Sequence, residues 1–469
     1  MGKVLQNLGS VWQFILFSLK GQELDSSRGN LNKAILLLAI PMILEMFMES
    51  LFSIIDIYFV SRLGINSVSA VGLTETLMTI IYAMGLGIGM AGTAIIARRT
   101  GEKNFTKAGS ATVQVILLSI IFSIVTGILG FIFAEDMLTL LGASPEVIQE
   151  GLIYTQWIFA GNITVTLLFV INGVFRGAGN AGIALHALWI SNLFNIILDP
   201  IFIFGLGPIP AMGLEGAAIA TVLGRLLGIV FQLYTLFKKS TLNLHIKRNH
   251  FTLKARTLKR LIRLSFGGMG QFVIESVSWI LLIKIVSLSG NAALAAYTIA
   301  YRITMFTLLP GWGIANVSAT LVGQNLGAGD ISRAEISVWK TTKFNMIFLG
   351  FFSVLFILYP EYFVGLFTSE PEVLAEGIKG LQLLSLGFIF FAVGMVLGQS
   401  INGAGDTKTP TIINIIVFMV IQIPLAYIFA IIFNMGAGGV YLAITICYSL
   451  HAFINFVVIR QGHWKKVVI

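Results

Sequence analysis

Apolar residues gather in twelve blocks of about twenty or more, the length a helix needs to cross the hydrocarbon of a bilayer, each bounded by short polar or glycine-containing stretches. The blocks fall near residues 34–60, 68–97, 111–133, 150–173, 181–204, 213–237, 260–288, 292–322, 337–358, 376–402, 409–433 and 436–459, and each predicts a membrane-spanning helix. Within a block the apolar positions are continuous, which excludes the period of two of a transmembrane β-barrel. A further run from Val11 to Leu19 is too short to span. It reads as a helix lying in the interface ahead of the polar stretch Lys20 to Lys33, and no small-residue cleavage site follows that would make it a signal peptide.

Composition agrees with the pattern. Hydrophobic residues make up 57% of the 469 and charged ones only 11%, where a soluble domain carries about 25% charged. The fold class is therefore an all-α polytopic membrane protein with 12 transmembrane helices. The net charge of +9 takes its meaning from where the cations sit. Assigned to alternate sides, the loops and ends place 23 Lys and Arg on one face, nine of them between Lys238 and Arg263, and Arg62 alone on the other. Cytoplasmic loops keep the positive excess, so both termini and the basic 238–263 segment are expected inside. That segment reads as an orientation signal, with no nucleic-acid partner. A single cysteine, Cys447, and five scattered histidines leave no disulfide framework and no metal-ligand spacing, and no Walker, HExxH or Ser-His-Asp constellation can be assembled. The glycines Gly85, Gly87, Gly89 and Gly92 lie inside an apolar block with no preceding strand, which fits close helix packing better than a phosphate loop.

The two halves repeat. A shift of 226 residues aligns Glu49-Ser50 with Glu275-Ser276, Gly64 with Gly290, Gly101 with Gly327, Pro145 with Pro371 and Gly177-Ala178-Gly179 with Gly403-Ala404-Gly405, and a shift of 223 then aligns Gly213 and Gly216 with Gly436 and Gly439. Six helices are thus duplicated in one orientation, which predicts two pseudo-symmetric six-helix lobes. Residues 1–33 form an N-terminal segment, 34–237 the N-lobe, 238–259 the basic linker, 260–459 the C-lobe and 460–469 a tail. Duplicated lobes without nucleotide-binding domains fit a secondary transporter that rocks one lobe against the other about a cleft.

Features present in one half only are the better functional candidates. Asp56 in helix 1 and Asp199 in helix 5 are repeated as Leu282 and Leu425, and Asn195, one turn before Asp199, is repeated as Ile421. Acids in hydrocarbon are costly unless they face a cavity, find a partner or take up a proton. Two carboxylates and an amide oxygen suit a hard cation such as sodium, or a proton held between coupled acids. Thr221 in helix 6 can add a hydroxyl. Glu45, Glu49 and Asp56 fall within about 40° of one another around helix 1. Pro41, one turn earlier, either loosens helix 1 within reach of that face or marks its start. Glu275, the repeat partner of Glu49, is a further intramembrane acid that behaves as shared scaffold, and Lys284 and Arg302 either pair with acids or snorkel to the interface.

The segment from Ala39 and Pro41 through Asp56 to Gly64, the doubled Gly-Ala-Gly motif and the run from Asn195 through Asp199 and Pro200 to Gly205 resemble the multidrug and toxic compound extrusion (MATE) family over essentially the whole chain, most closely its prokaryotic DNA-damage-inducible (DinF-like) branch. The resemblance implies two six-helix lobes of V-shaped form and export of organic cations and other amphipathic drugs in exchange for inward Na+ or H+. It implies a monomer in the inner membrane with no cofactor and no enzymatic activity. In that branch Asp56, Asp199, Asn195 and Thr221 match the N-lobe cation site, and Pro41 the helix 1 proline whose bending accompanies protonation. Another branch places a cation on a helix 7 glutamate, matched by Glu275, and a helix 10 aspartate, where this chain has no acid near Phe391. A flippase of lipid-linked oligosaccharides is the alternative of related architecture, and a cavity holding diphosphate calls for more cations than the acidic helix 1 face offers.

Overall fold

The computed structural model describes residues 13–21, 29–238 and 244–469. The spans are α1 (Leu31–Val60), α2 (Ile65–Gly101), α3 (Phe105–Ile132), α4 (Pro145–Ala160 and Asn162–Gly177), α5 (Ala181–Phe204), α6 (Gly213–Phe237), α7 (Ala255–Ser287), α8 (Asn291–Gly327), α9 (Ile331–Leu358), α10 (Pro371–Leu386 and Phe388–Ala404), α11 (Lys408–Ile432) and α12 (Gly436–Gln461). Ten are unbroken, and α4 and α10 are bent by 41° and 48° at their breaks, which gives the twelve spans the apolar blocks predict. The 150–173 block underestimates α4, which starts at Pro145 behind the cap of Ser144 and breaks at Gly161. A helix covers residues 13–19 within the predicted interfacial run, while Val11 and residue 12 lie outside the described residues.

The repeat is visible in local structure. Gly64 and Gly290, matched at 226, precede α2 and α8 with φ of 130° and 103°, a left-handed region in which a side chain is strained. Asn104 caps α3 by accepting from the Lys107 amide, and Asp330 caps α9 by accepting from the Arg333 amide. The breaks of α4 and α10 fall at Gly161 and Gly387, again matched at 226. Short helices Ala134–Leu140 and Pro360–Gly365 precede them at the same offset. Two departures mark the second half: α11 contains two π-helical stretches, Ile415–Ile421 and Ile428–Ile432, whereas its counterpart α5 is a regular helix through Pro200.

Helix crossings use small residues, which lets backbones approach. A Cβ on Gly177 would stand 2.8 Å from the Thr93 carbonyl oxygen of α2, and one on the matched Gly403 would stand 2.3 Å from the Ala319 carbonyl oxygen of α8. The cluster predicted to pack does so: Gly89 abuts the Phe169 carbonyl, Gly92 the Val115 side chain and Gly87 the backbone of Met269.

Contacts divide the chain into one unit of Met1–Asp25 with Phe47–Met269 and another of Ser26–Met46 with Gly270–Ile469. The cuts fall inside α1 and α7, whereas the division read from the repeat cuts before α1 and in the linker. The core of the first unit gathers Val71, Met78, Tyr154, Phe159 and Leu214, and that of the second gathers Tyr297, Phe356, Phe388, Val440 and Tyr441. Linker residues 244–254 are docked on α3 of the first unit: Gln114, fully buried, donates to the His250 and Thr252 carbonyls at 3.0 and 2.9 Å and accepts from the Lys254 amide at 2.8 Å.

Candidate ion-coupling site

Asp56, Asn195, Asp199 and Thr221 all belong to the first unit, and all four are buried, Asp199 at 0% and Asn195 at 1% exposure. Asp56 lies one turn before the C-terminal end of α1, Asp199 near the C-terminal end of α5, and Thr221 two turns into α6, the helix that follows α5. The Asn195 Nδ2 donates to Asp199 Oδ1 at 3.1 Å and to Thr221 Oγ1 at 3.3 Å. The carboxylate of Asp199 offers only acceptors when ionised, so the amide must turn its nitrogen toward it and its oxygen away. Asn192, one turn earlier on α5, donates to the Met48 carbonyl of α1 at 3.2 Å and holds the two helices together.

Three oxygens of this group, Asp56 Oδ1, Asn195 Oδ1 and Asp199 Oδ2, are buried with no hydrogen-bond partner. Buried acceptors are normally satisfied, and leaving several together without a donor is unfavourable by about 1–3 kcal/mol each. Asp56 and Asp199 are also near enough for their charges to repel. Pro200, the next residue, lies inside α5 and offers no N–H to the Ile196 carbonyl one turn earlier. An excess of oxygen acceptors and negative charge in an apolar surrounding is what a proton or a small hard cation relieves. Among the described residues no group of three His, Cys, Asp or Glu is arranged for a transition metal.

One turn further along α6 from Thr221 lies a charged residue that the sequence reading passed over. Arg225 lies beside Tyr82 of α2, places its guanidinium 5.9 Å from the centre of the Phe52 ring of α1, and interacts electrostatically with Asp56, Glu49 and Glu75. Arg225 and Glu75 are ionisable residues inside predicted spans, which is the signal that could have singled them out. Of the three acids expected on one face of helix 1, Glu49 and Asp56 join this cluster, whereas Glu45 falls in the part of α1 that belongs to the second unit. Pro41 lies ten residues inside α1 and does not mark its start.

The second unit answers with aromatic groups. Glu75 and Arg225 are repeated as Tyr301 and Tyr448, so the positions that surround Glu49 with charge surround Glu275 with rings. Glu275 accepts from Asn414 Nδ2 at 3.0 Å and borders a cavity of about 90 Å³ walled by Trp279, Tyr297, Tyr301, Phe391 and Tyr448. The Leu282, Ile421 and Leu425 side chains that replace the N-lobe acids and amide carry no oxygen. Lys284 and Arg302 are both exposed on their helices, where snorkelling is open to them.

Twelve spans, a duplicated six-helix plan and an oxygen-rich intramembrane site define an integral membrane transporter. The MatE family model matches the chain twice, over residues 41–201 and 269–428, and the chain belongs to that family of transporters. The two matches fall one in each half of the repeat. The chain is 23% identical over 440 residues to a Thermotoga maritima protein described as "Probable multidrug resistance protein NorM", covering 93% of this chain and 94% of that one. It is also 23% identical to a Shewanella oneidensis protein described as "FAD transporter", covering 89% and 91%. A solved structure described as the outward-facing conformation of a multidrug resistance MATE family transporter superposes with a TM-score of 0.88 at 28% identity, covering 94% of this chain and 98% of that one. The chain is a multi-pass membrane transporter and not an enzyme.

Proposed function

We propose that the protein is a secondary active efflux antiporter of the plasma membrane, with both termini cytoplasmic, that acts as a monomer and exports amphipathic organic cations in exchange for inward H+ or Na+ by alternating access. The observation that carries the reading is the set of three partnerless buried oxygens on Asp56, Asn195 and Asp199. An ion bound there removes the repulsion between the two carboxylates and satisfies the orphaned acceptors, so loaded and unloaded forms differ in energy by enough to bias a conformational equilibrium. Pro41, inside α1 on the stretch that carries Glu45, is where that helix yields most easily. The match of Asp56, Asn195, Asp199 and Thr221 to the N-lobe site supports assignment to the DinF-like branch. No cofactor or nucleic-acid partner enters the scheme.

In the cluster around the ion site the acids Asp56, Asp199, Glu49 and Glu75 outnumber the cation Arg225, a balance that favours a cationic cargo over an anionic one such as a flavin dinucleotide or a lipid-linked diphosphate. Efflux of ethidium from proteoliposomes, driven by a sodium gradient alone and then by a proton gradient alone, tests the reading. Drive by one gradient identifies the ion. The variant Asp56→Asn is expected to fold and to lose coupled efflux, and wild-type efflux from it would remove the N-lobe mechanism.

A further inference from the structure

The guanidinium of Arg225 has no role in the ion site as described, yet it is the only cation placed among its carboxylates by the described contacts. Arginine does not release its proton in a protein, so an arginine inside a membrane helix needs an anion, a backbone carbonyl or water beside it in every state of the transport cycle, and among these Arg225 has acids. Its repeat partner is Tyr448, which shows that the six-helix scaffold does not require a cation at this position. Some feature of the first unit does.

The geometry of α1 supplies it. Glu49, Phe52 and Asp56 stand at i, i+3 and i+7, a single stripe along the helix. Arg225 lies over the middle member, Phe52, and feels both acids, with Tyr82 and Glu75 of α2 beside it. Asp56 belongs to the ion-binding layer, one turn or about 6 Å along α6 from the level of Arg225, and Glu49 lies on the other side of that level. With the termini cytoplasmic, the guanidinium stands directly on the cytoplasmic side of the ion site. Surplus acids surround it, so it offers no vacancy for an anionic cargo.

We propose that Arg225 is a tethered counter-ion shared by Asp56 and Glu49, which competes with the coupling ion for Asp56 and so promotes the ion's release. The inference rests on the antiport function proposed above. When an ion occupies the site, the Asp56 charge is satisfied and Arg225 leans on Glu49. When the ion leaves toward the cytoplasm, the guanidinium takes back its share of Asp56, and the emptied site is never left as a bare pair of carboxylates. Two substitutions then act with opposite sign. Arg225→Gln removes the competitor and tightens ion binding. Glu49→Gln removes one of the two other acids near Arg225, leaves Glu75, shifts the guanidinium toward Asp56 and weakens ion binding.

The test measures ethidium efflux from proteoliposomes as a function of external sodium, or of external pH where the proton gradient is the one that drives the wild type. Arg225→Gln is expected to lower the half-saturating ion concentration roughly tenfold and to reduce the maximal rate, the size expected for a unit charge about one helical turn away in a partly hydrated site. Arg225→Lys is expected to stay near the wild type, and Glu49→Gln to raise the half-saturating concentration. An unchanged half-saturation in Arg225→Gln, or shifts of the same sign in Arg225→Gln and Glu49→Gln, overturns the shared counter-ion. Should Arg225→Gln not reach the membrane, Glu49→Gln decides alone, and an unchanged or lowered value overturns the inference. A wild type driven by neither gradient overturns the antiport reading and this inference with it, whereas a driven wild type with unshifted variants overturns the inference alone.

Discussion

A buried amide set between a carboxylate and a hydroxyl has its orientation decided for it, and Asn195 is such a residue. Its nitrogen serves Asp199 and Thr221, and its oxygen is left with the free oxygens of Asp56 and Asp199. Replacing it by the similarly sized Asn195→Leu removes one ligand oxygen and one charge-assisted donor to Asp199. The expected result is a rise of roughly tenfold or more in the half-saturating ion concentration, the equivalent of about 1.5 kcal/mol, with no change in the half-saturating concentration of ethidium. Ion-dependent efflux at fixed drug measures the first and drug-dependent efflux at saturating ion the second. Equal shifts in both would place Asn195 in the drug path and not in ion coupling. Asp56, Asn195 and Asp199 were legible in the sequence because a polar residue in an apolar span has an apolar repeat partner, and comparison of halves exposes it. Arg225 was open to the same comparison, with Tyr448 as its partner, but the count of loop cations that fixes orientation leaves a cation inside a span unexamined. Which acids share one unit was not legible: Glu45, Glu49 and Asp56 lie on one face of α1, yet contacts assign Glu45 to the other unit.

Elements show where hydropathy stops informing. Twelve apolar blocks give twelve spans because the requirement for apolar length acts on every span alike. The bends of α4 and α10 were not legible, since a glycine in an apolar run reads equally as packing or as a break. Gly161 stands where a Cβ would come within 2.3 Å of a Val222 methyl, so the bend and the packing against α6 are satisfied together. The π-helical stretches of α11 have no compositional mark either. The linker read as an orientation signal also has a structural attachment. Gln114 holds the 250–254 backbone on α3, and His250 Nδ1 accepts from the Lys247 amide at 3.3 Å. Burial of His250, then the charges of Lys254 and Lys247, hold its imidazole below the ordinary value of 6.5. A histidine depressed in the docked form favours docking fully above its ordinary value, and that contribution is lost as pH falls through the lowered docked value. Amide hydrogen exchange of residues 244–254 is therefore expected to be slow at about pH 7.5 and faster at about pH 5, beyond the intrinsic pH effect on exchange. The variant His250→Asn is expected to flatten that difference, and a pH response that survives it would exclude His250 as the cause.

At the scale of the whole molecule the duplication is both the scaffold and the control experiment. Matched glycines, caps, breaks and crossings recur at 226 residues, so the common features of the halves account for the fold. Function is then carried by what differs. In the first unit Glu49 is accompanied by Glu75 and Arg225, with Asp56, Asn195 and Asp199 one layer away, and in the second Glu275 is accompanied by Tyr301 and Tyr448 with only leucine and isoleucine at the three ion-site positions. A carboxylate alone can bind a proton, and Ser278, Thr304 and Gln422 stand with the aromatic side chains around the cavity beside Glu275. But Asn414 already donates to that carboxylate and no second acid lines the cavity, so the paired carboxylates of the first unit have no counterpart there. Ion dependence is thus expected to belong to the first unit alone. Glu275→Gln keeps the shape of the side chain and retains an oxygen for the Asn414 bond. It is expected to leave the half-saturating ion concentration of ethidium efflux within about twofold of the wild type, less than the change from loss of one typical hydrogen bond. Asp199→Asn, placed in the same assay, is expected to abolish the ion dependence. If Glu275→Gln instead shifts the ion curve as far as a first-unit variant does, the halves share the coupling between them, and the repeat partners of Glu75 and Arg225, the phenols of Tyr301 and Tyr448, become the groups that assist Glu275.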